Sequence, residues 1–156
     1  ALISRRPTTD EREILQAAEL DLTEGLVGDN WLARGSASMP DGSANPDAQL
    51  TFMNTRVIDL VAQDKARWHL AGDQIFVDLD LSVDNLPPGT QLSIGTTIIE
   101  VTPLPHTGCQ KFVERFGGDA MKFVNSKAGR ALRLRGMNAK VVQGGTIKAG
   151  DTVKKL

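Results

Sequence analysis

The residues best suited to chemistry lie in PLPHTGCQKFVERF, residues 103–116. This stretch holds the chain's only cysteine, Cys109, and one of its two histidines, His106, followed by Lys111 and Arg115. A cysteine acts as nucleophile or metal ligand only as the thiolate, which positive charge and the unpaired N–H groups of a helix N-terminus favour. The pattern favours an activated thiol, and the alternative is a buried cysteine that packs as a small hydrophobe.

Other kinds of site fit this sequence less well. With His69 as the second histidine, Cys109 has no paired ligand spacing of the kind that structural zinc uses. A papain-like pair of Cys109 with His106 is disfavoured because the two residues are so close in sequence. The carboxylates at positions 78, 80 and 84 lack the glycine and glutamate of a calcium loop, so we expect them to face solvent.

Two predicted strand ends position the candidate residues. A β-branched strand at residues 96–101 precedes Cys109, and Phe112, Val113 and Phe116 predict a helix directly after it. Upstream, QLTFMNTRVIDLVA predicts a strand that enters a helix with Asn54 as N-cap. This corner places Asn54 and Arg56 where backbone N–H groups can face an anion.

The remaining segments predict mostly strands. Thr8 and Glu11 have capping-box spacing and predict a short helix in TTDEREILQAAEL, whereas residues 33–48 predict a long surface loop. QIFVDLDLS alternates like a half-buried strand, and the tail of residues 130–156 resembles a pair of hairpins. We therefore expect a mainly β fold with α inserts, a twisted antiparallel β-barrel with short helices.

Composition limits the classes of function. The chain has 156 residues and a net charge of -1, so we expect one domain over 1–156 and no nucleic-acid partner, although Arg130, Arg133 and Arg135 could together hold one anion. No apolar run is long enough to cross a membrane, the N-terminus is unlike a signal peptide, and a cytoplasmic location is expected. The chain opens without Met, which is compatible with a preceding segment that completes the molecule.

From about Leu22 to Leu156 the sequence resembles the MOSC domain, named for the C-terminal part of molybdenum cofactor sulfurase. The most specific match is Cys-x-Lys-x-x-x-Arg-Phe at residues 109–116, followed by LRLRGMNAKVV and a closing AGDTVKKL. GLVGDNW resembles the family's Gly-x-x-Gly-Asp segment, and QLTFMNTRVIDL resembles its strand–Asn–helix element.

The resemblance implies a MOSC-type β-barrel with a pocket for molybdenum cofactor (molybdopterin). Cys109 matches the family's essential cysteine and is the candidate catalytic residue and metal ligand. The candidate cofactor-binding residues are Asn54, Arg56, His106, Lys111, Arg115, Arg135 and Asn138. Two segments, RGSASMPDGSANPDAQ and AGDQIFVDLDLS, depart from the family pattern, and both lie in regions that shape the pocket.

Two functions follow from this resemblance, and the residues do not decide between them. In the first, Cys109 ligates molybdenum, as in the family's reductases of N-hydroxylated compounds, with a small-molecule substrate and an electron-transfer protein as partner. In the second, Cys109 carries persulfide sulfur from a cysteine desulfurase to a metal–sulfur centre, and pyridoxal phosphate belongs to that partner. A binding module without chemistry is the third class. A carrier should expose Cys109, whereas a metal ligand should lie at the floor of a basic pocket.

Overall fold

The computed structural model describes residues 2–8 and 11–156. Within these ranges the strands are β1 (Leu2–Arg5), β2 (Glu13–Leu15), β3 (Ala17–Asp21), β4 (Gly25–Leu26), β5 (Leu50–Asn54), β6 (Ile75–Val77), β7 (Gln91–Ile94), β8 (Thr97–Val101), β9 (Met137–Gln143), β10 (Gly145–Lys148) and β11 (Val153–Lys155). The α-helices are α1 (Trp31–Arg34), α2 (Thr55–Ala62), α3 (Gln110–Phe116), α4 (Gly118–Asn125) and α5 (Lys127–Ala131). Two 3-10 helices cover Pro46–Ala48 and Lys65–Ala71.

Among the described residues, eight strands form one curled sheet, a half-barrel, in the order β11-β7-β8-β9-β5-β6-β1-β2. Its neighbours are antiparallel except β5 and β6, which are parallel. A parallel pair needs a crossover connection, and α2 with the 3-10 helix that follows it provides one. Strands β10, β3 and β4 form a second, three-stranded sheet. The predicted mainly β fold with short helices is confirmed, with a mixed sheet in place of a purely antiparallel one.

The curled sheet encloses the main hydrophobic core. Its fully buried side chains include Leu50, Phe52, Leu92, Ile99 and Met137. A smaller core lies on the other face of the sheet, because successive side chains of a strand point to opposite faces. Its members are Leu2, Met53, Ile58, Ala62, Trp68, Ala71 and Phe76.

Helix α2 begins where the sequence predicts. The Asn54 side chain accepts hydrogen bonds from the backbone N–H groups of Arg56 and Val57, so it is the N-cap. Ile58 and Ala62, four residues apart, form the buried face of this helix. The predicted strand–Asn–helix corner is therefore confirmed.

Three local predictions are corrected. The helix predicted over residues 8–20 is wrong over residues 13–20, because β2 pairs with β1 and β3 pairs with β10, and these pairings outweigh local capping signals. Residues 9 and 10 of that segment lie outside the described residues. The strand predicted in QIFVDLDLS is only β6, and it is buried on both faces. The tail forms no pair of hairpins, since β9 pairs with β5 and β8, β10 with β3, and β11 with β7.

Two further expectations concern loops and membranes. The long loop is observed between α1 and the 3-10 helix Pro46–Ala48, so the prediction for residues 33–48 is correct in its central part. No helix in the described part of the chain combines the length and hydropathy that a membrane span requires.

Candidate functional site

A row of buried polar side chains crosses the middle of the large sheet. Gln74, Thr51, Asn138 and Thr102 lie side by side on neighbouring chain segments, with the Thr51 N–H donating to Gln74 Oε1 (2.8 Å) and the Thr102 N–H donating to the Asn138 carbonyl (3.1 Å). Thr51 and Asn138 alternate along β5 and β9 with residues of the main core, so their side chains face away from that core. Buried polar groups need hydrogen-bond partners. The groups at the Asn138 end of the row find theirs in the segment that leads to Cys109, and so hold that segment in place.

That chain is the segment of residues 102–109, here called the Cys109 segment, which connects β8 to α3. Asn138 Nδ2 donates to the carbonyls of Leu104 (3.1 Å) and Pro105 (3.3 Å), and this fixes the first half of the segment. In the second half, the Gly108 N–H donates to Asn125 Oδ1 (2.9 Å) on α4. Both halves are therefore held by side-chain amides, one from the sheet and one from a helix.

Cys109 occupies the N-cap position of α3. Its carbonyl accepts hydrogen bonds from the N–H groups of Phe112 (3.0 Å) and Val113 (3.2 Å), and its side chain makes no capping hydrogen bond. The thiol is free and the residue is exposed. The predicted position of Cys109, between a strand end and a helix, is confirmed, and its exposure excludes the alternative of a buried structural cysteine.

The Asp73 cluster, defined as Asp73, His106 and Arg135, anchors the middle of the Cys109 segment. Asp73 Oδ1 lies 2.8 Å from His106 Nε2, and Asp73 Oδ2 accepts a hydrogen bond from Arg135 Nη1 at 2.6 Å. Arg135 also donates from Nη2 to the Ala71 carbonyl (2.8 Å), and its guanidinium lies 5.2 Å from the ring centre of Phe112 on α3. The Asp73 side chain is fully buried, and its charge is stabilised by its contacts with Arg135 and His106.

Electrostatics within the Asp73 cluster favour an ionised carboxylate and a neutral imidazole. Burial alone would raise the pKa of Asp73, but Arg135 and His106 together hold that pKa below its ordinary value. Burial and the positive charge of Arg135 lower the pKa of His106, which the Asp73 carboxylate offsets only in part. Arg6 lowers it further. His106 is therefore uncharged at neutral pH.

Gly136, between Arg135 and β9, permits this packing. Its φ is 124°, a conformation that other residues rarely adopt. A Cβ atom at this position would lie 2.4 Å from the Phe52 carbonyl oxygen and 2.9 Å from His106 Cδ2. Only glycine leaves room here for the His106 ring.

A cavity of about 330 Å³ lies against the Cys109 segment. It is lined by Val83, Pro88, Thr102, Pro103, Leu104, Pro105, His106, Thr107, Arg130, Arg133, Gly136 and Met137. Its lining is largely apolar, with two guanidinium groups, an imidazole and hydroxyls, which is the composition typical of small-molecule sites. Arg133 Nη1 donates to the carbonyls of Leu81 (3.1 Å) and Leu86 (2.6 Å), whereas Arg130 is exposed. Cys109 does not line the cavity.

A second ion pair attaches the end of β1 to the segment GDNW. Asp29 Oδ1 and Oδ2 accept hydrogen bonds from Arg6 Nε (3.0 Å) and Nη2 (2.7 Å), and Oδ1 also accepts from the Arg6 backbone N–H (2.7 Å). The Asp29 side chain is fully buried. Burial opposes ionisation of Asp29, but Arg6 holds its pKa below the ordinary value. This pair fixes the Arg6 charge that lowers the pKa of His106.

The structure brings together only part of the predicted site. Of the predicted cofactor-binding residues, His106 lines the cavity and Arg135 holds His106 through Asp73. Asn138 fixes the segment backbone from behind. Asp73 and Asp29 were missed, although Asp29 lies within the Gly-x-x-Gly-Asp segment.

The other predicted residues lie away from the cavity lining. The Asn54 side chain is used in capping α2 and in donating to the Leu79 carbonyl (2.6 Å). Arg56 is exposed, and its Nε lies 3.0 Å from Asp78 Oδ1. Lys111 is exposed on α3, and Arg115 donates from Nη1 to the Leu70 carbonyl (2.9 Å).

The described residues contain no group of three or more His, Cys, Asp or Glu side chains that could hold a metal ion. The carboxylates at positions 78, 80 and 84 are exposed, as the sequence predicts.

Comparison with known proteins gives a family match and several shared folds. The family model for the MOSC domain matches residues 40–154. The chain is similar to the crystal structure of YiiM from Escherichia coli, with TM-score 0.64 and 16% identity, covering 99% of this chain and 68% of that one. It is also similar to YuaD from Bacillus subtilis, with TM-score 0.61 and 15% identity, covering 97% and 91%.

A third solved structure, described as a hypothetical protein, has TM-score 0.67 and 18% identity. The match covers 99% of this chain but only 66% of the hypothetical protein. A search of curated proteins finds no significant match. At such identities the solved structures show a shared fold.

Proposed function

The chain belongs to the MOSC domain family, and from this premise we propose that it binds molybdenum cofactor, with Cys109 as thiolate ligand to the metal. The observation that carries the proposal is the cavity against the Cys109 segment, with guanidinium groups in its lining. The family as a whole is associated with this cofactor. The assignment to this cavity and to Cys109 is our inference.

The donor groups present fit such a cofactor. A thiolate is a soft ligand and suits a thiophilic metal, and a cofactor whose pterin brings its own sulfur ligands requires few from the protein. This matches a site with one cysteine and no cluster of further ligands among the described residues. Arg130 and Arg133 offer charge and hydrogen bonds to an anionic phosphate, and the apolar lining offers a surface for a flat ring.

Each group near the cavity has a separate task in this proposal. Arg130, exposed at the cavity, would attract and bind the anionic end of the cofactor. Arg133 is held by two carbonyls and would supply a fixed positive charge. The Asp73 cluster and Asn138 would hold the Cys109 segment still, so that Cys109 is presented in one position. When bound, the molybdenum centre would supply the oxygen-removal chemistry of a reductase of N-hydroxylated compounds, with electrons from a partner protein.

One observation favours a second candidate function, that of sulfur carrier. Cys109 is exposed and does not line the cavity, as expected for a residue that must meet two partners. In that reaction the terminal sulfur of a desulfurase persulfide would move to the Cys109 thiolate, leaving the desulfurase cysteine as a thiolate. Pyridoxal phosphate would belong to the desulfurase.

Metal and pterin analysis separates these functions. The protein and its Cys109→Ser variant would be purified from a host that makes molybdenum cofactor. Near-stoichiometric molybdenum that is lost in the variant supports ligation by Cys109. Metal-free protein that gains one sulfur atom on Cys109 from a cysteine desulfurase, seen by mass spectrometry, supports the carrier instead. If the protein neither holds molybdenum nor gains sulfur on Cys109, both proposed functions are wrong, and a binding module without chemistry is the remaining class.

A matched pair of variants tests the cavity. Arg130→Gln removes a guanidinium from the lining, whereas Lys127→Gln removes an exposed cation from the same helix, α5, outside the lining. We expect the pterin content to fall only in Arg130→Gln. Equal pterin content in both variants would place the cofactor elsewhere. Six of the predicted cofactor-binding residues do not line the cavity, so their contact with the cofactor stays a prediction: Asn54, Arg56, Lys111, Arg115, Arg135 and Asn138.

A further inference from the structure

The two nitrogens of His106 have different surroundings. Nε2 lies 2.8 Å from Asp73 Oδ1, which is hydrogen-bonding distance. An ionised carboxylate can only accept hydrogen bonds, and Arg135 keeps Asp73 ionised. The proton in the His106–Asp73 hydrogen bond must therefore be on Nε2.

The other nitrogen then carries a lone pair. Burial and the charge of Arg135 lower the pKa of His106, so the ring holds one proton at neutral pH, and that proton is on Nε2. Within residues 2–8 and 11–156, His106 Nδ1 makes no hydrogen bond. It is also absent from the fully buried polar atoms that lack a partner in these residues, so part of its surface is exposed. Nδ1 is thus an accessible acceptor.

The packing of the ring directs this acceptor. The Cδ2 atom, which is bonded to Nε2, is the ring atom that approaches Gly136, so the Nε2–Cδ2 edge faces Asp73 and Gly136. Nδ1 belongs to the opposite edge of the ring. His106 lines the cavity, and about a fifth of its side chain is accessible.

We propose that Asp73 fixes His106 in the neutral Nε2–H tautomer, so that Nδ1 accepts a hydrogen bond from an N–H or O–H group of the ligand in the cavity. The ligand recognised in this way carries a donor beside His106 and an anionic group near Arg130. The identification of that ligand as a pterin, whose ring has N–H donors, rests on the proposed function. The tautomer does not depend on it.

Nitrogen NMR of histidine-labelled, cofactor-free protein tests the tautomer. The chain has two histidines, so a His69→Gln variant assigns the His106 signals and serves as the control. At neutral pH we expect His106 to show a protonated Nε2 and an unprotonated Nδ1. In Asp73→Asn the preference for this tautomer should be lost or reversed. A proton on Nδ1, or on both nitrogens, in the unmodified protein would overturn the proposal.

Two substitutions of His106 test the contact with the ligand, with pterin content per chain as the readout. In His106→Asn the amide oxygen can take the place of Nδ1, whereas His106→Leu has no acceptor. We expect His106→Leu to lower affinity for the pterin on the order of tenfold, since a donor is left unpaired, and His106→Asn to recover much of the loss. Equal affinity in both variants and the unmodified protein would overturn the contact.

These two experiments also separate this proposal from the proposed function. If the unmodified protein binds no pterin, the proposed function fails, while the NMR measurement still decides the tautomer. If pterin binds and Nδ1 is protonated, only the role of His106 fails.

Discussion

The two halves of the Cys109 segment are held in different ways. The first half, through His106, is bound to the large sheet by Asn138 and by the buried Asp73 cluster. The second half is bound to α4 through Asn125 and ends in the exposed Cys109. The chain therefore anchors Cys109 from one side and leaves its side chain accessible. We expect stability to depend on the first half and chemistry on the second.

The largest loss of stability is expected for Asp73→Ala. It leaves the buried Arg135 without its carboxylate, and breaking a buried ion pair costs about 3–5 kcal/mol. Urea unfolding measures the change, with the exposed Asp84→Ala as control, expected within about 0.5 kcal/mol. A loss below about 1 kcal/mol for Asp73→Ala would mean that the cluster does not anchor the segment.

Glycine substitutions compare the two halves directly. Gly136→Ala should destabilise by roughly 2–5 kcal/mol, because the added Cβ meets a backbone carbonyl and the residue has a positive φ. In Gly108→Ala the added Cβ meets Met121 Sδ, the end of a flexible side chain, so a smaller loss is expected. Thermal unfolding of both variants checks the order, and a reversed order would contradict the comparison.

The two asparagines that hold the segment give a second comparison. Asn138→Ala removes a buried side chain and leaves the part-buried Leu104 and Pro105 carbonyls without this donor, at a cost of about 1–3 kcal/mol. Asn125→Ala removes a half-buried partner of Gly108 and should cost about 1 kcal/mol. Urea unfolding distinguishes them. Equal losses would show that both halves are anchored equally.

The Asp73 cluster also predicts loss of stability in acid. Because the pKa of His106 is lower in the folded chain, the unfolded chain binds more protons below pH ~6.5, and the free energy of unfolding falls there by up to about 1.4 kcal/mol per pH unit. The pKa of Asp73 is also lowered on folding, so its contribution is lost at still lower pH, as the carboxylate of the folded chain is protonated. His106→Gln should reduce the slope below pH 6.5, as measured by urea unfolding at a series of pH values, and an unchanged slope would contradict this role of His106.

The smallest effect on stability is expected for Cys109→Ser. The side chain is exposed and makes no capping hydrogen bond, so the free energy of unfolding should change by less than about 0.5 kcal/mol. The same variant should lose its molybdenum or its ability to take up sulfur. A large loss of stability would show that the thiol has a structural role that exposure conceals.

The sequence predicted the second half of the Cys109 segment better than the first half. Cys109, the strand before it and the helix after it follow from local patterns, and the Asn54 cap follows from one residue type before an apolar helix face. Asp73 could not be found in this way, because its partners are distant in sequence and meet it only once β6 and β9 lie in the same sheet. The N-terminal helix was predicted wrongly for a similar reason, since β3 depends on β10 far along the chain.

The pairing of β3 with β10 has a consequence for synthesis of the chain. Residues 17–21 leave the ribosome long before residues 145–148, and at roughly 5–20 residues per second the delay is on the order of ten seconds. During that time an edge of β3 has no partner and is open to pairing with other chains. Glu19 and Asp21 lie on its exposed face, and their charges oppose such aggregation until β10 arrives.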